Sequence, residues 1–314
     1  MEPHKGRIDP LRFAHPLAIG EMLLTALIWS SSFVGVRVAL KYTGPFMVSG
    51  VRYLLAFLVL VPWLCKDRRA SPPLTRSQWG RLTLIGLFHH TMGNGSLHLA
   101  LRSLSASTGA LGVCLVPIPV LLLGILRLKE HPTLIQLLGL ALTIGGSVLF
   151  LSPKWEVGEP LALGFLGIAI LSISVSPVLT REIARDREVS NVTLTAIPFG
   201  IGGGLLLILA LAVEGIPHMP LVAWGVVLGL SVVNSLIGFL LFNHSLQRLA
   251  AVEVNILWNL MPLGTALIAW GALGERLLSI QIAAMFLVIG GSSLVQWRKR
   301  ASMRVLGNQS QQRN

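Results

Sequence analysis

Stretches of about twenty mostly apolar residues follow one another from Leu17 to Trp297, separated by connections only a few residues long, and a helix needs about that many to cross the hydrocarbon of a bilayer. Such a pattern leaves almost nothing over for a soluble domain. The composition agrees, with 53% hydrophobic and only 12% charged residues and a mean hydropathy of +0.73. The runs are continuously apolar, whereas barrel strands would alternate over about ten residues, so helices are expected. Ten spans are expected at 17–40, 44–64, 80–101, 105–127, 132–152, 160–181, 191–213, 220–246, 250–272 and 277–297. The first run is too long for a signal peptide and lacks a convincing cleavage site, so it is expected to stay as a span.

Charge sets the orientation. The formal net charge of +12 comes from basic residues that sit between apolar runs and do not form a face, which argues for topology and anionic lipid over nucleic acid. With the N-terminus inside, 19 of the 25 lysines and arginines fall on the cytoplasmic side, among them Lys66, Arg68, Arg69, Arg81, Arg127 and Arg181. Both termini are then cytoplasmic, in a multi-pass protein of the plasma (inner) membrane. Cys65 and Cys114 have no spacing that suggests a metal set or a disulfide framework.

The chain also repeats itself. A shift of 145 residues aligns Leu101–Leu149 with Leu246–Leu294, pairing Pro117 with Pro262, Glu130 with Glu275, Gln136 with Gln281 and Gly145-Gly146-Ser147 with Gly290-Gly291-Ser292. A shift of 144 pairs Ser30 with Ser174, Ser32 with Ser176 and Arg37 with Arg181. One repeat holds five spans, an odd number, so its copy enters the membrane from the opposite side, as in many secondary transporters. The fold class is therefore all-α and polytopic: a cytoplasmic segment 1–16, a five-helix repeat 17–152, a second, inverted repeat 160–297 and a basic cytoplasmic tail 298–314.

Polar groups at mid-depth in a membrane are costly unless satisfied, which makes them candidates for function. The third span carries His89, His90, Asn94 and His98, answered in the eighth by Asn234, Ser235 and Asn243. These either line a substrate cavity or cross-link helices. His98 and Asn243 are expected nearer the two mouths, as gates. Asn255, Trp258 and Asn259 share a face of the ninth span, while Pro117 and Pro262 are candidate hinges or static kinks. Trp29 and Ser30 lie near mid-depth of the first span, where an indole suits stacking on an organic solute. Glu21, near the cytoplasmic end of that span, either binds a proton or snorkels inward to the cytoplasmic surface. Arg52 sits several residues inside the second span, with its side chain expected to extend to the outer surface. Glu130 and Glu275 suit the N-termini of helices, and the Gly-Gly-Ser triplets suit close helix contact.

Enzyme signatures are thin: HExxH, GxSxG and phosphate-loop patterns are all missing from the sequence. The three histidines of the third span would need ligands from other helices to hold a metal, which leaves an intramembrane metal-binding enzyme as the alternative of a different class.

The stretch from Ala100-Leu101-Arg102-Ser103 through Pro117 to Glu130, its counterpart from Leu246 through Pro262 to Gly274-Glu275, the Gly-Gly-Ser triplets and the Ile28-Trp29-Ser30-Ser31-Ser32-Phe33 segment together resemble the EamA-type repeat of the drug/metabolite transporter (DMT) superfamily. The resemblance runs over nearly the whole chain. It implies ten helices, with the first, third, fourth, sixth, eighth and ninth around a central cavity and the fifth and tenth at the periphery. It also implies export of amino acids, other metabolites or drugs, with import or facilitated diffusion as the alternative. No cofactor is implied, and the partners are a small-molecule substrate and membrane lipids, with the protein either a monomer or a homodimer. Two features depart from the family pattern: Lys129 stands where the family usually has glycine before the glutamate, and the His89-His90 pair is not a family feature.

Overall fold

Residue types at the helix ends explain where the elements begin. Proline opens α1 (Pro16–Ala39) and α2 (Pro45–Ala70), where its missing N–H would have no helical partner anyway. Thr75 and Gln78 close a capping box on α3 (Arg76–Ile85), with Thr75 N–H donating to Gln78 Oε1 at 2.9 Å and Gln78 N–H to Thr75 Oγ1 at 3.2 Å. The same chemistry opens α7 (Leu134–Leu151), where Thr133 N–H donates to Gln136 Oε1 at 2.8 Å. Leu278 N–H donates in the same way to Gln281 Oε1 at 2.9 Å. The repeated glutamine is thus a helix cap in both copies.

The computed structural model describes residues 16–129, 132–151, 160–186, 189–217, 219–249, 251–273, 278–291 and 294. The terminal segments, Glu130, Glu275 and Ser292 lie outside the described residues. No strand occurs among the described residues. After α3 the chain runs through a π-helical stretch, Gly86–Asn94, into α4 (Gly95–Ser103). Then come α5 (Ala106–Val113), α6 (Pro117–Leu123) and a second π-helical stretch, Gly124–Leu128, before α7. The second half has α8 (Pro160–Asp186), α9 (Asn191–Val213), α10 (Leu221–Gly229), a π-helical Leu230–Ile237, α11 (Gly238–Leu246), α12 (Ala251–Trp258), α13 (Met261–Leu273) and α14 (Ser279–Gly291).

Five of the described helical segments are long and apolar enough to cross a membrane: α1, α2, Pro160–Ile183, α9 and Leu221–Leu246. Pro117–Leu128, Leu134–Phe150 and Ser279–Gly291 are shorter apolar helices. The expected fourth and ninth spans are broken rather than continuous. Each is interrupted just before its proline, at Cys114–Val116 and at Asn259–Leu260. A belt of exposed Leu, Ile, Trp and Phe, including Leu27, Leu58, Leu171, Ile208, Trp270 and Phe286, covers the outside, as lipid contact requires and water would not tolerate over such an area.

The two copies are related in space as well as in sequence. Arg37 Nη1 donates to the Leu101 carbonyl at 2.9 Å, and Arg181 Nη1 donates to the Leu246 carbonyl at 2.7 Å, so each arginine satisfies an orphan carbonyl at a helix C-terminus. Arg181, expected among the cytoplasmic charges, is buried for this reason. The helices α2 and α9 pack antiparallel, each held by an acid at the end of the other. The Glu214 carboxylate accepts from Phe46 N–H at 2.9 Å and Met47 N–H at 2.8 Å at the start of α2. Asp67 Oδ2, near the end of α2, accepts from Ser190 Oγ at 2.6 Å and Thr193 Oγ1 at 2.7 Å at the start of α9. Between these clasps, Gly50 lies against the Leu207 backbone and Gly203 against the Leu54 backbone, where a Cβ would stand 2.6 Å and 2.8 Å away. In α7 and α14, Gly146 and Gly291 make the matching close approach, while Gly145 and Gly290 meet nothing. Of the two glycines in each triplet, the second is the packing residue.

Candidate functional site

From Ala18 to Ser31, α1 is bonded to the second half. Trp29 Nε1 donates to the Asn234 carbonyl at 2.8 Å, and Asn234 Nδ2 donates back to the Ile28 carbonyl at 2.5 Å and Ser31 Oγ at 3.1 Å. Gly238 leaves room for this, since a Cβ there would overlap the indole nitrogen. Ser30 Oγ donates to the Met261 carbonyl at 2.8 Å, and Thr265 Oγ1 to the Ser30 carbonyl at 3.1 Å. His89 answers Asn234 on the other side of the symmetry and lies beside Ile173 of α8 in the wall between the halves. Each such bond within a membrane contributes roughly 0.6–2 kcal/mol.

Where these crossings meet lies a small cavity of about 50 Å³. Its walls come from both halves: Trp29, Ser32, Phe33 and Val36 from α1; Arg52 and Tyr53 from α2; His89, Asn94, Leu97, His98 and Leu101 from the π-helical stretch and α4; and Val113, Ile173, Phe239, Trp258 and Met261. The aromatic wall is continuous, with ring centroids 5.0 Å apart for Trp29 and Trp258 and 4.9 Å for Trp29 and Phe239. A water needs about 10–15 Å³ of such space and an organic ligand occupies a pocket of about 300–1,000 Å³, so the cavity has room for a few waters but not for an organic solute. A wider groove lies apart from it, lined by Phe57, Arg68, Leu74, Trp79 and Ile201 among others.

Of the residues singled out for a pathway, Trp29, His89, Asn94 and Trp258 line the cavity. The others are engaged elsewhere. His90 packs against Tyr53 and Phe199, with centroids 4.6 Å and 4.9 Å away. Ser30 and Asn234 form the α1 crossings. Asn255 Nδ2 donates to the Ala251 carbonyl at 2.7 Å, and Asn259 Nδ2 to the Cys114 carbonyl at 3.3 Å. Cys114 is the mate of Asn259 at the 145-residue shift, and a residue that touches its own mate sits on the pseudo-two-fold axis. That contact also satisfies a carbonyl exposed by the break before Pro117. Pro262 follows the equivalent break.

His98 and Asn243 occupy equivalent places. His98 Nδ1 and Ser49 Oγ lie 2.5 Å apart, and Asn243 Nδ2 donates to Thr195 Oγ1 at 3.0 Å. Both bonds join neighbouring helices of one repeat, and His98 also borders the cavity. Glu21 meets His244 of α11, whose Nδ1 lies 2.9 Å and 2.8 Å from its two carboxylate oxygens. No group of three or more His, Cys, Asp or Glu side chains that could hold a metal occurs among the described residues.

Arg52 departs furthest from expectation. It lies about 10 Å into α2 and is 3% exposed; it does not extend to the surface. Its Nε donates to Ser235 Oγ at 2.5 Å and its Nη1 to Ser32 Oγ at 2.9 Å. A lone arginine deep in an apolar run opposes insertion by about 2.5–3.5 kcal/mol, which was the available signal. Its partners, and the inclusion of Tyr53 and Phe239 in the site, depend on packing between halves.

Similarity to known proteins agrees with this architecture. A crystal structure 18% identical in sequence superposes with a TM-score of 0.74 over 92% of this chain and 99% of that chain, a likeness of fold. The chain is 28% identical to an uncharacterized transporter of Archaeoglobus fulgidus, covering 81% of this chain and 89% of that protein. It is 29% identical to the S-adenosylmethionine/S-adenosylhomocysteine transporter of Chlamydia trachomatis, covering 87% and 88%. The transporter of that description from Chlamydia muridarum is 28% identical, covering 89% and 93%. The EamA-like transporter family, part of the DMT superfamily, matches twice, over residues 17–152 and 160–297. This chain is a membrane protein that belongs to the EamA-like transporter family.

Proposed function

We propose that the protein is a secondary transporter that exports a small amphipathic metabolite from the cell by alternating access, through the cavity where its two halves meet. In this reading ten spans form two inverted repeats in the plasma membrane with both termini cytoplasmic. Trp29, His89, Asn94 and Trp258 form the binding surface. The breaks before Pro117 and Pro262 act as hinges. His98 and Asn243 hold the helices that open toward either mouth. Ser30, His90, Asn234, Asn255 and Asn259 set the helix crossings that the cavity depends on.

The observation that carries the reading is an aromatic and polar cavity walled by side chains of both halves. The Chlamydia relatives make S-adenosylmethionine and S-adenosylhomocysteine the first cargo to try, and an adenine ring suits the Trp29–Trp258 wall. The test is counterflow of these compounds, amino acids and other metabolites in proteoliposomes, with and without a pH gradient. Accumulation of one cargo by protein-containing vesicles alone is expected. Folded, reconstituted protein that moves no member of the panel would overturn the reading.

A further inference from the structure

We infer that Arg52 is the receptor for a carboxylate on the transported solute, with the aromatic side of the same cavity taking the rest of the molecule. This deepens the transporter reading and rests on it.

The guanidinium presents five N–H donors in a planar fork. Two of these go to the neutral hydroxyls of Ser235 and Ser32, and neither hydroxyl balances its charge. Every acid whose side chain is described has its own partners. Glu21 holds His244, Asp67 holds Ser190 and Thr193, Glu182 holds Arg81 and Arg127, Glu214 caps α2, and Glu253 meets Gln136. Arg52 lines the cavity as a charge with no countercharge among the described residues. A planar fork matches a carboxylate through two parallel hydrogen bonds, and one fixed positive charge matches one negative charge. The rest of the lining is aromatic, aliphatic or uncharged in its hydrogen-bonding role, with Asn94 within the same walls.

The site is also asymmetric where the fold is symmetric. Ser32 corresponds to Ser176 and Ser235 to His90. At the place of Arg52 the helix α9 offers Ile197, Pro198 or Phe199, and α9 carries no charge at all. A solute therefore meets a single cationic pole and binds in one orientation relative to the two halves. Ser32 belongs to the first half and Ser235 to the second, so an anion that draws the guanidinium toward itself loosens a link between halves. Binding and opening are coupled through that arginine.

The test is competition against counterflow of radiolabelled S-adenosylhomocysteine and phenylalanine in proteoliposomes, by the unlabelled acids and by their methyl esters. With the wild-type protein the esters should compete at least tenfold more weakly. Arg52→Gln should bring acid and ester to one level, and Arg52→Lys should fall between. Equal competition by acid and ester in the wild type overturns the inference while leaving transport intact, and that comparison needs no variant to fold. A tenfold acid preference that survives in folded Arg52→Gln overturns it too. If neither cargo moves with the folded wild type, the transporter reading fails for these cargoes and the inference with it.

Discussion

Three successive glycines in α9, Gly202, Gly203 and Gly204, allow a sharp test of how the halves pack, because alanine should act oppositely at neighbouring positions. In a helix interior, replacing glycine with alanine stabilises by about 0.5–1 kcal/mol on backbone entropy alone. At Gly204 a Cβ meets nothing within 4 Å, so Gly204→Ala should keep that gain. At Gly202 the Cβ would stand 2.5 Å from His90 Cβ and 2.6 Å from the Gly86 carbonyl oxygen, where carbon atoms need about 3.5–4.0 Å. One obstacle is backbone and neither is the end of a flexible side chain, so the π-helical stretch must shift. Overpacking of this kind costs about 1–3 kcal/mol, leaving Gly202→Ala net destabilised by up to about 2.5 kcal/mol. Gly203→Ala meets Leu54 N at 2.8 Å and Tyr53 Cβ at 2.9 Å and should fall between the two. Thermal unfolding in one detergent, followed by tryptophan fluorescence, should separate the Gly202 and Gly204 variants by about 2–5 °C at the entropy per residue typical of folded chains. Equal midpoints, or a lower midpoint for Gly204→Ala, would refute the reasoning.

The clasps at the two ends of the α2–α9 pair are separated by about 30 Å along the axis. Glu214→Ala and Asp67→Ala should each cost about 1–2 kcal/mol, and the double variant should match their sum; a coupling above about 0.5 kcal/mol in thermal or denaturant unfolding would contradict independent clasps. Lys129 holds φ 53° and ψ 34° at the end of its π-helical stretch, donating its N–H to Gly124, and is the only non-glycine with positive φ among the described residues. Lys129→Gly should therefore raise stability by about 0.5–1 kcal/mol, and a fall in unfolding midpoint would count against that backbone assignment. If Glu21 carries the coupled proton, Glu21→Gln should leave counterflow intact while abolishing acceleration by a pH gradient; persistence of that acceleration would place the proton elsewhere.

Much of this architecture was legible from the repeat. Matching Arg37 with Arg181 and Gln136 with Gln281 picked out pairs that prove to do the same work, as caps of helix carbonyls and helix N–H groups. The glycine expected at the place of Lys129 marks a left-handed residue, so a departure in sequence pointed to a backbone requirement. What sequence could not supply was direction across a helix. His89, His90, Asn94 and His98 read as one polar group, yet His90 faces Tyr53 and Phe199 while its three neighbours border the cavity. A π-helical stretch runs through Gly86–Asn94, and an extra residue in the turn rotates everything beyond it, so counting by 3.6 misassigns the faces.

Symmetry itself separates scaffold from specificity here. Residues on the axis meet their own mates, as Asn259 does at Cys114, and any substitution there acts on both halves at once. Arg52 has no charged mate, and its meaning lies in the acids that are committed elsewhere, each bound to a helix end or a basic partner. A sequence displays the arginine but not those commitments. Duplication gave the two halves a common frame, and under the carboxylate proposal the single cationic pole is what lets that frame tell one end of a solute from the other.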